Sequence, residues 1–327
     1  MRIVVTGGAG YIGGTLARML LGQGHEVVIL DNFCRSKSSA LPAGARFVEG
    51  SVGDREIVEG MLRNEHFDGI MHFAALSAAG ESMNAPGSYF RNNTVGTLTL
   101  LEAMAATGHD RLVFSSTAAC YGEPETTPIL ETAALHPTNP YGESKLLSEY
   151  MMRWLNQANG LRYAALRYFN VAGAIEGYGE AHDPESHLIP LVLDVAIGRR
   201  KSVKIFGQDY PTADGTCVRD YIHVEDLGRA HLMALAALEH RSRVEYNLGN
   251  GEGFTVKQVV DSVRRVTGRD IAVELCERRP GDPAVLVASS AAIQKDLGWT
   301  PRYTKLDEIV ESAWVWHQKL WQGVAPI

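Results

Sequence analysis

The chain begins with a strand, a glycine-rich turn and a helix in immediate succession, and that order constrains the fold more than any other feature. Ile3-Val4-Val5 is a short β-branched run closed by Thr6-Gly7, the pattern of a buried strand. Gly7-Gly8-Ala9-Gly10-Tyr11-Ile12-Gly13 follows, and a helical apolar pattern runs from Ile12 to Leu21. Glycines at this spacing permit a tight turn, close approach of backbone to a phosphate and close packing of helix on strand. Free N–H groups and the dipole at the helix start then favour an anion. A dinucleotide with its pyrophosphate over that helix end is the ligand such a turn suits.

A second strand-like run, Glu26 to Leu30, ends in Asp31, about 20 residues beyond the glycines. A carboxylate at that strand end can accept hydrogen bonds from ribose hydroxyls and repels an added 2′-phosphate. NAD is therefore expected over NADP, although Arg35 and Lys37 lie close enough to keep NADP as a minor alternative. The alternation continues with strands at Arg46–Glu49, Gly69–Phe73 and Arg111–Ser115, and helices at Arg55–Asn64 and Pro86–Thr107. Strands alternating with helices predict an α/β fold, a Rossmann-like doubly wound parallel sheet covered on both faces. Ligands in such sheets bind at the carboxyl ends of the strands. Gly7, Asp31, Phe73-Ala74-Ala75 and Ser115-Ser116-Thr117 fall on that edge, while His72 is expected to pack within its strand.

Composition narrows the partners. The chain has 327 residues, 45% of them hydrophobic, which is ample for a large core. A formal net charge of −7 with no run of Lys and Arg argues against nucleic acid. Cys34, Cys120, Cys217 and Cys276 are widely scattered, so neither a metal site nor a disulfide framework is expected. There is no apolar stretch of about 20 residues, and Met1-Arg2 followed by a strand does not read as a signal peptide. The expectation is a soluble cytoplasmic protein without a membrane partner.

Tyr141-Gly142-Glu143-Ser144-Lys145 carries the chemistry. On a helix, the i, i+4 spacing puts phenol and ammonium on one face, one turn apart. A tyrosine is a poor base near neutral pH, and a nearby cation is expected to pull its pKa down. The pair then suits general acid–base work on a substrate hydroxyl. Thr117, just past its strand, adds a hydroxyl on the same sheet edge.

The Thr–Tyr–Lys set together with Gly7-x-x-Gly10-x-x-Gly13 resembles the extended short-chain dehydrogenase/reductase family, over nearly the whole chain. His72-Phe73-Ala74-Ala75, Gly80-Glu81-Ser82, Arg167-Tyr168-Phe169-Asn170 and Gly215-Thr216-Cys217-Val218-Arg219-Asp220-Tyr221-Ile222-His223 are similar to its UDP-sugar 4-epimerase branch. The resemblance implies NAD-dependent interconversion of UDP-galactose and UDP-glucose, through oxidation at C4 to a 4-keto sugar and return of the hydride on the other face. It makes Tyr141 the base, Lys145 the group that lowers its pKa and holds the nicotinamide ribose, and Thr117 a hydrogen-bond partner of the same sugar oxygen. At matching positions it implies cofactor contacts from Gly7, Gly10, Tyr11, Ile12, Gly13, Asp31, Asn32, Ser36, Ser51, Val52, Phe73, Ala74, Ala75, Ser77, Asn92, Ser115 and Tyr168. Ser51 stands where many members have Asp, and Ser77 where some have Lys, so adenine contact and cofactor retention are the points in question.

Asn170, His187 and Leu188 match positions that meet a nucleotide diphosphate. The resemblance sets Arg219 and Arg279 on its phosphates, Asp282 on the uridine ribose, and Ile205, Phe206 and Tyr210 beside the base. Leu286 aligns with the site where a bulky Tyr restricts some members to plain hexoses and a small residue admits N-acetylhexosamines. Plain UDP-hexoses are favoured, with the acetylated pair open. The expected division is a cofactor domain over 1–170, rejoined by 221–250 (a helix at Tyr221–Leu238, then Tyr246-Asn247-Leu248), and a mainly substrate domain over 171–327. The tail Leu306–Trp321 reads as an amphipathic packing helix. A homodimer through the helices at 86–107 and after Tyr141 is expected by analogy. Epimerases of UDP-pentoses or UDP-uronates are the near alternative. A 4,6-dehydratase is disfavoured because Ala118-Ala119 stand where those enzymes carry Asp-Glu. A non-catalytic NAD-binding protein would require damage to the Thr–Tyr–Lys set, which is intact.

Overall fold

A computed structural model describes residues 1–279 and 282–322. Strands β1 (Arg2–Thr6), β2 (Glu26–Asp31), β3 (Arg46–Glu49), β4 (Gly69–His72), β5 (Arg111–Thr117) and β6 (Arg162–Tyr168) form one sheet. Its seventh strand is Arg243–Leu248, beside β6. Every pairing is parallel, and the order from the far edge is β3-β2-β1-β4-β5-β6 and then Arg243–Leu248. The chain therefore reverses direction across the sheet between β1 and β4, where such folds open a crevice.

Period-two alternation assigns the two faces. Ile3 and Val5 pack with Leu16 and Leu20 of helix α1 (Tyr11–Gly22) and with Leu227, Ala230 and Ala234 of the helix Val224–Ala237. Val4 points the other way, with Leu30, Ile70 and Phe114, against Val58, Leu62, Leu100 and Met104. Each fully buried aliphatic side chain contributes about 1.5–3 kcal/mol, so both layers are firmly held. The α/β, doubly wound expectation is met.

Two elements depart from expectation. The helix at 86–107 is continuous but contains a π-helical stretch, Phe90–Val95. Widening there lets the Asn93 amide donate to Leu76 O (2.9 Å) and Ser144 Oγ (3.0 Å), which binds the helix to both walls of the crevice. Tyr221 to His223 is strand rather than helix; His223 Nδ1 accepts from Glu225 N at 3.1 Å, and the helix starts at Val224.

The smaller region centres on the strand Val218–His223, which pairs with Gly253–Thr255, Val285–Leu286 and Asn170–Ala172. The strands Val203–Phe206 and Val273–Cys276 form a separate parallel pair. Helices Leu188–Ala196, Val256–Thr267 and Leu306–Trp321 close its core around Val192, Val260 and Ile309. Among the described residues no helix is long and apolar enough to cross a membrane.

The glycine turn is sterically fixed. Gly7 has φ +70°, and a Cβ there would sit 2.6 Å from Ala74 N. A Cβ on Gly13 would lie 2.3 Å from Gly7 O, with backbone on both sides unable to retreat. Gly13→Ala is expected to destabilise the fold by about 1–3 kcal/mol. Urea unfolding measures this as a lower midpoint at unchanged slope.

Candidate active site

A cleft of about 340 Å³ opens along the carboxyl ends of β1, β2, β4, β5 and β6. All the residues expected from the sequence to meet the cofactor line it, from Gly7 through Asn92 to Tyr168. Gly10, the N-cap of α1, brings no side chain to the first turn, so the backbone N–H groups there are left open. Asp31 is buried at the end of β2. Its carboxylate accepts from Ala9 N (3.0 Å), Phe33 N (2.9 Å) and Ser36 Oγ (3.0 Å). Phe33 is held at φ 55°, a left-handed conformation that aims its N–H back at Asp31. Ser36 thus supports the carboxylate. Arg35 lines the cleft and pairs with Glu81 at the surface. Ser51 Oγ accepts locally from Gly53 N at 3.1 Å. A narrow glycine turn, an open helix start and a strand-end carboxylate together fit NAD.

The helix Pro140–Asn159 brings the reactive groups to this cleft. Asn139 caps it by accepting from Gly142 N (2.9 Å) and Pro140 occupies the first turn, so the helix begins immediately before Tyr141. Tyr141, Lys145 and Thr117 all line the cleft. Lys145 is 2% exposed, and its Nζ donates to Ser115 O at 2.8 Å and stands 4.8 Å from the centre of the Phe114 ring. Burial lowers its pKa to about 8, with Cys120 and Glu149 acting in the opposite direction. Burial raises the Tyr141 phenol to about 12, against the opposing effect of the Thr117 hydroxyl. The shift is upward, opposite to the lowering expected from the sequence, and the Lys145 ammonium donates to the Ser115 carbonyl. Beneath them, the Tyr168 hydroxyl is hydrogen-bonded to Ser115 Oγ.

The mouth of the cleft carries a group that sequence spacing did not flag. Glu180, His182 and His187 converge, each offering one ligand-type atom within 4.8 Å of the others. His182 Nδ1 meets Glu180, and His187 Nδ1 lies 2.8 Å from Glu185 Oε1 and 3.8 Å from Glu180 Oε2. Burial opposes the charged form of His187, but Glu185 and Glu180 outweigh it and raise its pKa to about 9. Leu30, Cys34, Phe169 and Val171 also line the cleft and were missed. They have no chemical signature in sequence, and only the fold brings them there.

Among the expected substrate residues, Asn170 and His187 share this cleft, and Leu188 lines a small adjoining cavity with them. Phe206, Tyr210, Arg219, Arg279 and Asp282 form a second cluster outside its walls. Arg219 pairs with Asp282, Arg279 lies 3.9 Å over the Phe206 ring, and Tyr210 is capped by Arg278 at 4.1 Å. The Tyr210 hydroxyl is buried without a hydrogen-bond partner among the described residues. Ile205 corrects the expectation: its side chain is 2% exposed and belongs to the core of the smaller region, so it does not face a base. Leu286 packs with Phe169, whose neighbours line the reactive cleft.

The NAD dependent epimerase/dehydratase family matches residues 3–249. A UDP-glucose 4-epimerase of Corynebacterium glutamicum is 51% identical over 320 residues, covering 98% of this chain and 97% of the relative. The structure of UDP-glucose 4-epimerase from Brucella ovis in complex with NAD superposes with a TM-score of 0.93 at 43% identity, covering 96% and 97% of the two chains. That from Bifidobacterium longum in complex with NAD+ and UDP gives 0.93 at 35% identity, covering 99% and 100%. With the glycine turn, the strand-end carboxylate and the Thr–Tyr–Lys group gathered on one sheet edge, this chain belongs to the NAD-dependent epimerase/dehydratase family, the extended short-chain dehydrogenase/reductases.

Proposed function

We propose that this chain interconverts UDP-galactose and UDP-glucose by inversion at C4 of the sugar, using bound NAD. The observation that carries the reading is the presence of Tyr141, Thr117 and Lys145 in the cleft that also holds the glycine turn and Asp31. Full-length likeness to UDP-glucose 4-epimerases supports it independently. The nicotinamide, when bound, supplies a reversible hydride acceptor and, in its oxidised form, a positive charge.

The chain's own residues do the rest. Tyr141 takes the proton from the 4-hydroxyl and later returns it, while Thr117 holds the same oxygen by a hydrogen bond. A phenol raised by burial is a weak base, so its ionisation depends on positive charge beside it. Lys145 provides that charge when its ammonium leaves the Ser115 carbonyl for the ribose and phenol. The adenine end is held by Asp31 on the ribose, with Ser51 giving an uncharged contact. At the substrate end, His187 meets the diphosphate as an imidazolium, and Arg219, Arg279 and Asp282 act on the nucleotide from the second cluster. Opening the Arg219–Asp282 pair frees both for phosphate and ribose. Leu286, of intermediate size, favours plain hexoses and leaves room for adaptation to the acetylated pair.

The same reading includes a homodimer and a cytoplasmic location. Val95, Leu98, Tyr150 and Trp154 are exposed on the helical layer that includes Gly96–Thr107 and Pro140–Asn159, with Trp154 at 70%. A neighbouring apolar group of this kind is a natural pairing face. Cys34, Cys120, Cys217 and Cys276 are all unpaired thiols.

Proton NMR of purified protein with UDP-galactose and no added NAD should show conversion to UDP-glucose; absence of conversion even with NAD contradicts the assignment. Tyr141→Phe should lower kcat by about 10²–10⁴-fold while NAD content is retained. His187 should titrate near 9 by NMR, so it is charged below that pH and loses its charge above it; Glu185→Gln should move the midpoint down towards the free-histidine value. Trp154→Glu should convert a dimer to a monomer by light scattering, and an unchanged mass would place the pairing face elsewhere.

A further inference from the structure

Arg167 and Glu149 are each 1% exposed, and neither lines the reactive cleft. Arg167 Nε lies 3.0 Å from Glu149 Oε1, and Nη2 lies 2.5 Å from Oε2, a two-pronged contact. Ser116 Oγ donates to the same Oε1. Arg167 Nη1 donates to the Tyr121 hydroxyl at 3.0 Å, which donates to Asn247 Oδ1 at 2.7 Å. Desolvating two charges is a poor route to stability, since a well-packed apolar pair does as well. Their position suggests another use. Glu149 lies one helical turn beyond Lys145 on the same face. Ser116 is adjacent to Ser115, whose carbonyl receives Lys145 Nζ at 2.8 Å. Arg167 pairs with Ser116 across β5 and β6.

We propose that Glu149, clamped by Arg167 and Ser116, is a positioning residue that fixes the reactive helix against β5 and β6 so that Lys145 and Tyr141 meet Ser115 and Thr117 in register. The proposal rests on the epimerase reading. It also gives Lys145 an electrostatic neighbour. Tyr141 and Glu149 face it from its own helix, Cys120 from the turn after β5 and His72 from β4, with Arg167 of β6 behind Glu149. His72, held by burial at about 3, brings no charge near neutral pH. Glu149 and Cys120 favour the ammonium against desolvation, and buried Cys120 is itself a neutral thiol, raised to about 12 by burial. Glu149 is the one carboxylate among these neighbours.

The test compares Glu149→Gln, the double variant Glu149→Gln/Arg167→Gln, and Ser116→Ala, because the first leaves a buried guanidinium with only a longer contact to the Glu245 carboxylate, at 3.4 Å. Thermal melting and NAD content verify folding, and kcat and KM for UDP-galactose are followed against pH. The double variant should fold and keep KM within about threefold, while kcat falls about tenfold or more. Its alkaline limb should move to lower pH by about half a unit or more, because the ammonium is lost earlier. Ser116→Ala should shift the same limb in the same direction by less. A folded double variant with the parent's kcat and pH profile overturns the proposal. If neither Glu149 variant folds, a parent-like profile in Ser116→Ala overturns it. Failure of the parent to epimerise would instead remove the epimerase reading itself.

Discussion

Burial of the Lys145 ammonium at the carboxyl edge of a parallel sheet is the constraint around which this structure is arranged. A desolvated cation costs several kcal/mol unless it is paired or hydrogen-bonded. Here the offset comes from the Ser115 carbonyl, the Phe114 ring and the nearby Glu149 carboxylate. Two of these come from β5 and the third from the helix that carries Lys145, so the site needs that helix and that strand in register. The result is a buried cation one helical turn from a phenol whose pKa burial raises to about 12.

The glycine turn supplies the second requirement, a place where backbone can meet pyrophosphate. Gly7 and Gly13 come so close to Ala74 N and to each other that no side chain fits. That closeness sets α1 against β1 and β4, and so places the cofactor site beside the reactive helix. Asp31, braced by Ala9, Phe33 and Ser36, completes the far end of the cleft. The Thr–Tyr–Lys group and the dinucleotide cradle are therefore two ends of one crevice at the β1/β4 switch point.

Much of this was legible in the residues. Alternating apolar runs and the strand–glycine–helix start gave the sheet and its binding edge, since both follow from local periodicity. The i, i+4 spacing of Tyr141 and Lys145 placed them on one helix face correctly. The direction of the Tyr141 shift was not legible, because it depends on burial and on where the Lys145 ammonium points. The π-helical stretch at Phe90–Val95 was hidden within a helical pattern, and is recognisable only through the contacts of Asn93 with Leu76 and Ser144. Ile205 illustrates a further limit. A strand alternates inward and outward, and sequence alone did not say which side of Val203–Phe206 met the core. The Glu180–His182–His187 group arises from a loop whose shape has no periodic signal.

The central claim is that hydrogen leaves and returns to the same sugar carbon within one cleft. UDP-galactose carrying deuterium at C4, incubated with the protein in ordinary water, tests it most directly. The account predicts UDP-glucose that keeps its deuterium at C4, read by mass spectrometry and NMR. Product with hydrogen from water at C4 would contradict it and indicate proton exchange with solvent in place of an internal hydride return.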